Sequence, residues 1–132
     1  MFLDTSGLLC LIHRREAQHK KAVSSYSAAT TPRLTHSYVL DEFIALAQAR
    51  KLSRRAALNF SERLIDDADI ETVWVDETQH REALALLRAR PDKAYTFCDA
   101  VSFGLMRKRG ITEALTTDRH FEQEGFVRLL IP

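Results

Sequence analysis

The sequence predicts an α/β fold, a single domain whose mostly parallel sheet of four to five strands is flanked by helices on both faces. Three observations point there. Short runs of apolar and β-branched residues alternate along the chain with longer runs of helical periodicity. No repeat, low-complexity tract or Pro/Gly-rich linker divides the chain, so residues 1–132 read as one domain. The length of 132 residues is close to the commonest size of a domain, and 45% hydrophobic residues are enough for one core.

The elements follow in order. Met1 to Leu3 is a short apolar strand, and Gly7 to Arg14 a helix that turns Leu8, Leu9, Leu11 and Ile12 inward. Arg33 to His36 is a second strand after Pro32. It leads into a helix from Tyr38 to Arg50 with Val39, Leu40, Phe43, Ile44, Leu46 and Ala47 on its apolar face. Ser53 caps a helix from Arg54 to Asp67, and Ile70 to Val75 alternates as a strand does. A helix from Gln79 to Arg90 is stopped by Pro91, and one from Phe97 to Arg109 is ended by Gly110. Ala114 to Thr117 and Phe126 to Ile131 are the last two strands.

Composition narrows the function. With 19 basic and 18 acidic side chains the formal charge is +1, which excludes a strongly basic, non-specific nucleic-acid coat. A polyanion has to be met by local patches such as Arg14-Arg15, Lys20-Lys21, Arg54-Arg55 or Arg107-Lys108-Arg109, each of which also reads as a solvated helix end. Cys10 and Cys98 read as reduced core residues, the opening MFLD is too short for a signal peptide, and no apolar run approaches the ~20 residues of a membrane span. A cytoplasmic location is the expectation.

In a wound parallel sheet the strands end, and the following helices begin, along one edge, where ligands bind. Asp4 ends the first predicted strand and Asp118 the strand before the last. Asp99 sits in the first turn of its helix and Glu42 in the second turn of another, so all four face that edge. Between Asp99 and Asp118, a helix of about 11 residues descends ~16 Å and a strand of about five climbs back, which makes them neighbours. Singly, each acid has a local explanation. Asp4 and Asp118 suit helix N-caps, and Thr96-Phe97-Cys98-Asp99 fits a capping box. Glu42 has Asp41 beside it; they lie about 115° and about 145° from the centre of the apolar face, a small preference for Glu42.

Capping does not explain the joint placement. Two carboxylates ~4 Å apart repel by about 4 kcal/mol at an effective dielectric of ~20, and four multiply the cost. No Lys or Arg falls within a turn of Asp4, Glu42 or Asp99, and Arg119 is the one nearby cation. Hard carboxylate oxygens with no His or Cys cluster suit Mg²⁺, with Mn²⁺ the alternative, rather than zinc. The spacing of His13 and His19 is not a zinc spacing, and His36, His80 and His120 read as isolated surface or structural residues.

The segments MFLDTSGLL, THSYVLDEF, YTFCDAVSFGLMRKRG and ALTTDRHF, in that order, resemble the four motif regions of PIN-domain ribonucleases, and within them the VapC-type toxins of bacterial toxin–antitoxin pairs. The resemblance spans nearly the whole chain, although residues 50–92 contain no motif. It implies a metal-dependent endoribonuclease with Asp4, Glu42, Asp99 and Asp118 as its acidic quartet, the second motif leaving Asp41 open as the matching residue. Asp4 and Asp99 are the expected direct metal ligands, and Glu42 and Asp118 complete the site directly or through water. Ser6 and Thr117 match supporting hydroxyl positions. One or two Mg²⁺ ions would polarise the phosphodiester and activate water, leaving a 5′-phosphate and a 3′-hydroxyl. An RNA substrate, a small antitoxin laying a helix into an apolar groove, and a homodimer are further implications. The aliphatics of Leu8 to Ile12 and Val39 to Ala47 serve either that groove or the core.

Other readings differ at identifiable residues. An aspartyl-phosphate phosphatase would place a second Asp at position 6, where Ser6 stands, and a receiver domain would place a lysine after a late strand, where Arg119 follows Asp118. A PIN-like binding module without activity would keep the fold, and only an assay separates it from an enzyme.

Overall fold

The computed structural model describes residues 1–132. In chain order the elements are β1 (Phe2–Leu3), α1 (Thr5–Ile12), α2 (His19–Ala28), β2 (Arg33–His36), α3 (Ser37–Ala49), α4 (Arg54–Asp66), β3 (Ile70–Val73), α5 (Glu77–Ala89), α6 (Phe97–Arg109), β4 (Glu113–Leu115), α7 (His120–Gln123) and β5 (Val127–Arg128). The five strands form one sheet in the order β3-β2-β1-β4-β5, and every pairing is parallel.

That order fixes where the helices go. From β1 the chain steps outward to β2 and then β3, returns across the sheet to β4, and steps outward again to β5. Right-handed crossovers put α1 to α4 on one face of the sheet and α5 to α7 on the other. The helices of each group pack on one another, α1 on α2 and α3, α3 on α4, and α6 on α5 and α7. β1 is enclosed on both sides by strands and on both faces by helices, so Phe2 and Leu3 are fully buried, with Leu8, Phe43, Phe103, Leu115 and Phe121 among the core residues around them. Neighbouring β1 and β4, registered Phe2 to Ala114 and Leu3 to Leu115, are followed by connections that leave in opposite directions. The crevice between their C-terminal ends is the topological switch point, where wound sheets bind ligands.

β2 and α6 have the limits expected from the sequence, and Gly110 ends α6 in the left-handed conformation at φ 64°. Other segments differ. α1 begins two residues early, because Asp4 stands at its N-cap. α2 is a helix with no apolar stripe, burying only Ala22, and so gave no periodic signal. β4 ends at Leu115 rather than Thr117, and β5 covers only Val127–Arg128. Beyond β5 the chain still runs along β4, with the Leu129 and Leu130 N–H groups bonded to the Ala114 and Thr116 carbonyls. No helix is long and apolar enough to cross a membrane.

Gly7 sets the spacing between α1 and β4. A Cβ at that position would stand 1.9 Å from the Leu115 carbonyl oxygen, so α1 approaches the end of β4 as closely as backbone allows.

Candidate active site

Four elements deliver the four acids. Asp4 leaves β1 at the N-cap of α1, but its carboxylate makes no capping bond to the first turn. Its Oδ2 instead accepts from the Thr116 hydroxyl at 2.7 Å and from the Ser6 hydroxyl at 3.4 Å. Thr116 is fully buried, and its Oγ1 also accepts the Asp118 N–H at 3.0 Å. The turn after β4 is thereby pinned to the turn after β1. Ser6 adds a second bridge by accepting the Thr117 N–H at 3.0 Å. The hydroxyl that supports Asp4 is therefore Thr116, one residue before the Thr117 expected from the motif; Thr117 takes part through its backbone because the strand ends at Leu115 and the chain turns there.

Asp99 occupies the third position of α6 and closes the expected capping box. Its N–H donates to Thr96 Oγ1 at 3.1 Å, and its Oδ2 accepts the Thr96 N–H at 2.9 Å. The same Oδ2 lies 3.1 Å from His120 Nδ1, and Asp118 Oδ1 accepts the His120 N–H at 2.9 Å. Asp99, Asp118 and His120 offer ligand atoms that all lie within 4.8 Å of one another. His120 is thus part of the cluster and not an isolated surface residue. Its two-residue spacing from Asp118, which lets a tight turn fold the ring back over that carboxylate, was the signal in the sequence.

Glu42 is exposed on α3, yet its carboxylate faces the same charges. Partial desolvation raises its pKa above the ordinary value against a lowering by the Thr5 hydroxyl, and the Asp99 and Asp118 charges raise it further. His36 positions its helix. The imidazole is fully buried, with Nε2 2.8 Å from Ser102 Oγ and Nδ1 accepting the Val39 N–H at 3.4 Å. Because Ser102 donates its own proton to the Cys98 carbonyl, His36 donates from Nε2. Burial holds its pKa down to about 3, so the ring is a neutral pin between α3 and α6.

The electrostatics of the edge are uniform in sign. Burial raises Asp4 from its ordinary 3.8 to about 7; the Thr116 hydroxyl opposes the shift, and the charges of Asp99 and Asp118 add to it. Burial also raises Asp99, the Thr96 backbone opposing and the Asp118 charge adding. None of the four carboxylates pairs with a lysine or an arginine. Each of the three aspartates commits one oxygen to the protein, Oδ2 of Asp4, Oδ2 of Asp99 and Oδ1 of Asp118, and leaves the other without a protein partner. Fixed carboxylates with one free oxygen each form a donor set suited to a hard divalent cation.

Comparison with known proteins settles the family. Residues 1–126 match the PIN domain. The chain belongs to the PIN-domain family. It is 31% identical over 129 residues to the 23S rRNA-specific endonuclease VapC20 of Mycobacterium tuberculosis, in strains CDC 1551 / Oshkosh and H37Rv alike, covering 98% of this chain and 97% of the relative. The crystal structure of VapC20, described as a sarcin–ricin loop cleaving toxin, matches this PIN domain with a TM-score of 0.87 and 28% identity over 96% of this chain and 95% of that one.

Proposed function

We propose that this chain is a metal-dependent endoribonuclease and the toxin of a toxin–antitoxin pair, with Asp4, Glu42, Asp99 and Asp118 as its acidic centre. One observation carries the reading. Carboxylates from the turns after β1 and β4 and from α3 and α6 act on one another at the switch point, without a lysine or arginine partner, in a chain related over 98% of its length to an RNA-cutting PIN protein. Asp4, Asp99 and Asp118 would hold a divalent ion through their free oxygens, with Glu42 completing the set; Mg²⁺ suits the oxygen donors and Mn²⁺ would substitute. Such an ion supplies countercharge and Lewis acidity at a scissile phosphate.

The rest is the work of the chain. Thr116 and Ser6 hold one oxygen of Asp4, the Thr96 amide holds one of Asp99, and the His120 amide holds one of Asp118, so the acids meet an incoming phosphate in fixed orientations. His120 Nδ1 stands between Asp99 and Asp118, at 3.1 and 3.5 Å, and ties the turn after β4 to the start of α6. The relative's named substrate makes 23S rRNA the first RNA to test.

The antitoxin belongs to the same proposal. A cleft of about 290 Å³ between α1, α2 and α4 is lined by Leu8, Leu11, Tyr26, Phe60 and Leu64, with Leu3 and Ile70 at its floor, and fits the apolar face of a partner helix. Most of the Val39 to Ala47 aliphatics go to the core instead. A homodimer is part of the reading and is read out by light scattering.

Asp99→Asn keeps a capping side chain and removes the charge, so it is expected to abolish cleavage, by at least ~10³-fold, while the melting temperature stays within a few degrees. EDTA is expected to do the same to the unmodified protein, and the fragments are expected to bear 5′-phosphates. Cleavage that persists in Asp99→Asn or in EDTA overturns the proposal.

A further inference from the structure

Beside the acids lies a cleft that shares Glu42 with them and otherwise has no part in the proposed reaction. It has a volume of about 600 Å³ and runs from Glu42 and Thr96 along the outer face of α3, between that helix and the start of α6. Asp41, Ala45 and Gln48 are one turn apart on α3 and form one wall. Phe97, the first residue of α6, forms part of the other. A phenylalanine normally buries its ring, but Phe97 is 36% exposed. Its ring stacks on His80 at 4.5 Å and 11°, and His80 is fixed in turn by the Tyr38 hydroxyl, 2.7 Å from its Nδ1. The ring is therefore a rigid apolar plate held from behind, two residues from Asp99.

The geometry points to this cleft as the binding site for one unpaired nucleobase of the RNA, next to the phosphate held by the acids. The inference rests on the ribonuclease reading and adds how the enzyme selects its cutting site. Three features fit a base and not another part of the strand. A braced aromatic face stacks bases of any kind. The lining contains Asp41 and Glu42 but no lysine or arginine, so it repels the phosphate backbone and admits an uncharged ring. The exposed Asp41 carboxylate lines the cleft and, when ionised, accepts hydrogen bonds only, which favours a base edge rich in N–H groups. Guanine presents an imino and an amino N–H side by side to a carboxylate, and uracil presents only one imino N–H. Phe97 supplies affinity and Asp41 supplies choice.

The test uses short single-stranded RNAs with guanine or uracil on either side of the cut, with kcat and KM measured for the unmodified protein, Phe97→Leu and Asp41→Asn. The unmodified protein is expected to favour guanine over uracil at one flanking position by about ten-fold or more in kcat/KM. Asp41→Asn is expected to reduce that preference to about three-fold or less, by lowering kcat/KM on guanine RNA more than on uracil RNA. Phe97→Leu is expected to raise KM about ten-fold with little change in kcat. In the cleavage-dead Asp99→Asn protein, 2-aminopurine at the favoured position is expected to lose fluorescence on binding, and not in Asp99→Asn/Phe97→Leu. Efficient cleavage with no base preference, or a preference untouched by Asp41→Asn, overturns the subsite and leaves the ribonuclease reading standing. A Phe97→Leu protein whose mass in solution differs from the parent's shows that the cleft is a protein interface, and also overturns the subsite. If the unmodified protein neither binds nor cuts RNA in Mg²⁺, both readings fall.

Discussion

The buried Thr116 hydroxyl donates to Asp4 at 2.7 Å and accepts from the Asp118 N–H at 3.0 Å, so one side chain sets the positions of two carboxylates. Thr116→Val keeps the shape and removes both bonds. It is expected to lower cleavage by about 10- to 100-fold and to weaken metal binding, whereas Thr117→Val is expected to stay within about three-fold. Equal effects from the two variants would show that Thr116 has no special place. The sequence presents them as an undifferentiated Thr-Thr pair, since strand alternation stops where the strand stops, and only the end of β4 at Leu115 decides which hydroxyl turns toward Asp4. Asp4, Asp99 and Asp118 were legible because their placement follows from strand and helix order alone. His120 was missed, because a two-residue spacing from Asp118 is a signal too short to stand out until the tight turn is seen.

Among the elements, α1 has the tightest fit, with Gly7 against the Leu115 carbonyl. Gly7→Ala forces helix and strand apart, with an expected cost of about 3 kcal/mol or more. Gly104→Ala on α6 meets nothing within 4 Å and is expected to stabilise by ~0.5–1 kcal/mol. Urea unfolding midpoints check both, and a Gly7→Ala protein as stable as its parent would refute the close approach. Helices with an apolar stripe or a clear cap, such as α4 behind Ser53 and α6 between Thr96 and Gly110, were readable from sequence nearly to the residue. α2 and α7 were not. The first buries a single alanine, and the second is four residues long, so neither displays a full period of the pattern that betrays a helix.

Over the whole molecule the raised carboxyls couple stability to pH. Between 3.8 and about 7 the folded protein holds a proton on Asp4 that the unfolded chain releases, and Asp99 and Glu42 shift in the same direction. The metal-free protein therefore loses stability as pH rises from about 4 to about 7 and levels off above. Scanning calorimetry is expected to show a lower melting temperature at pH 7.5 than at pH 5 without metal, and a larger gain from added Mg²⁺ at pH 7.5, since the ligands bind the ion deprotonated. Asp4→Asn is expected to flatten the slope, and a Mg²⁺ gain independent of pH would contradict the coupling. The pairing of β1 with β4 has one more consequence, in the life of the chain before it is complete. Asp4 is made 111 residues before Leu115, beside which it stands, and 114 before Asp118. The acidic centre is therefore complete only once Asp118 has joined the chain, and a truncated chain that stops before β4 is expected to show neither metal-dependent stabilisation nor cleavage.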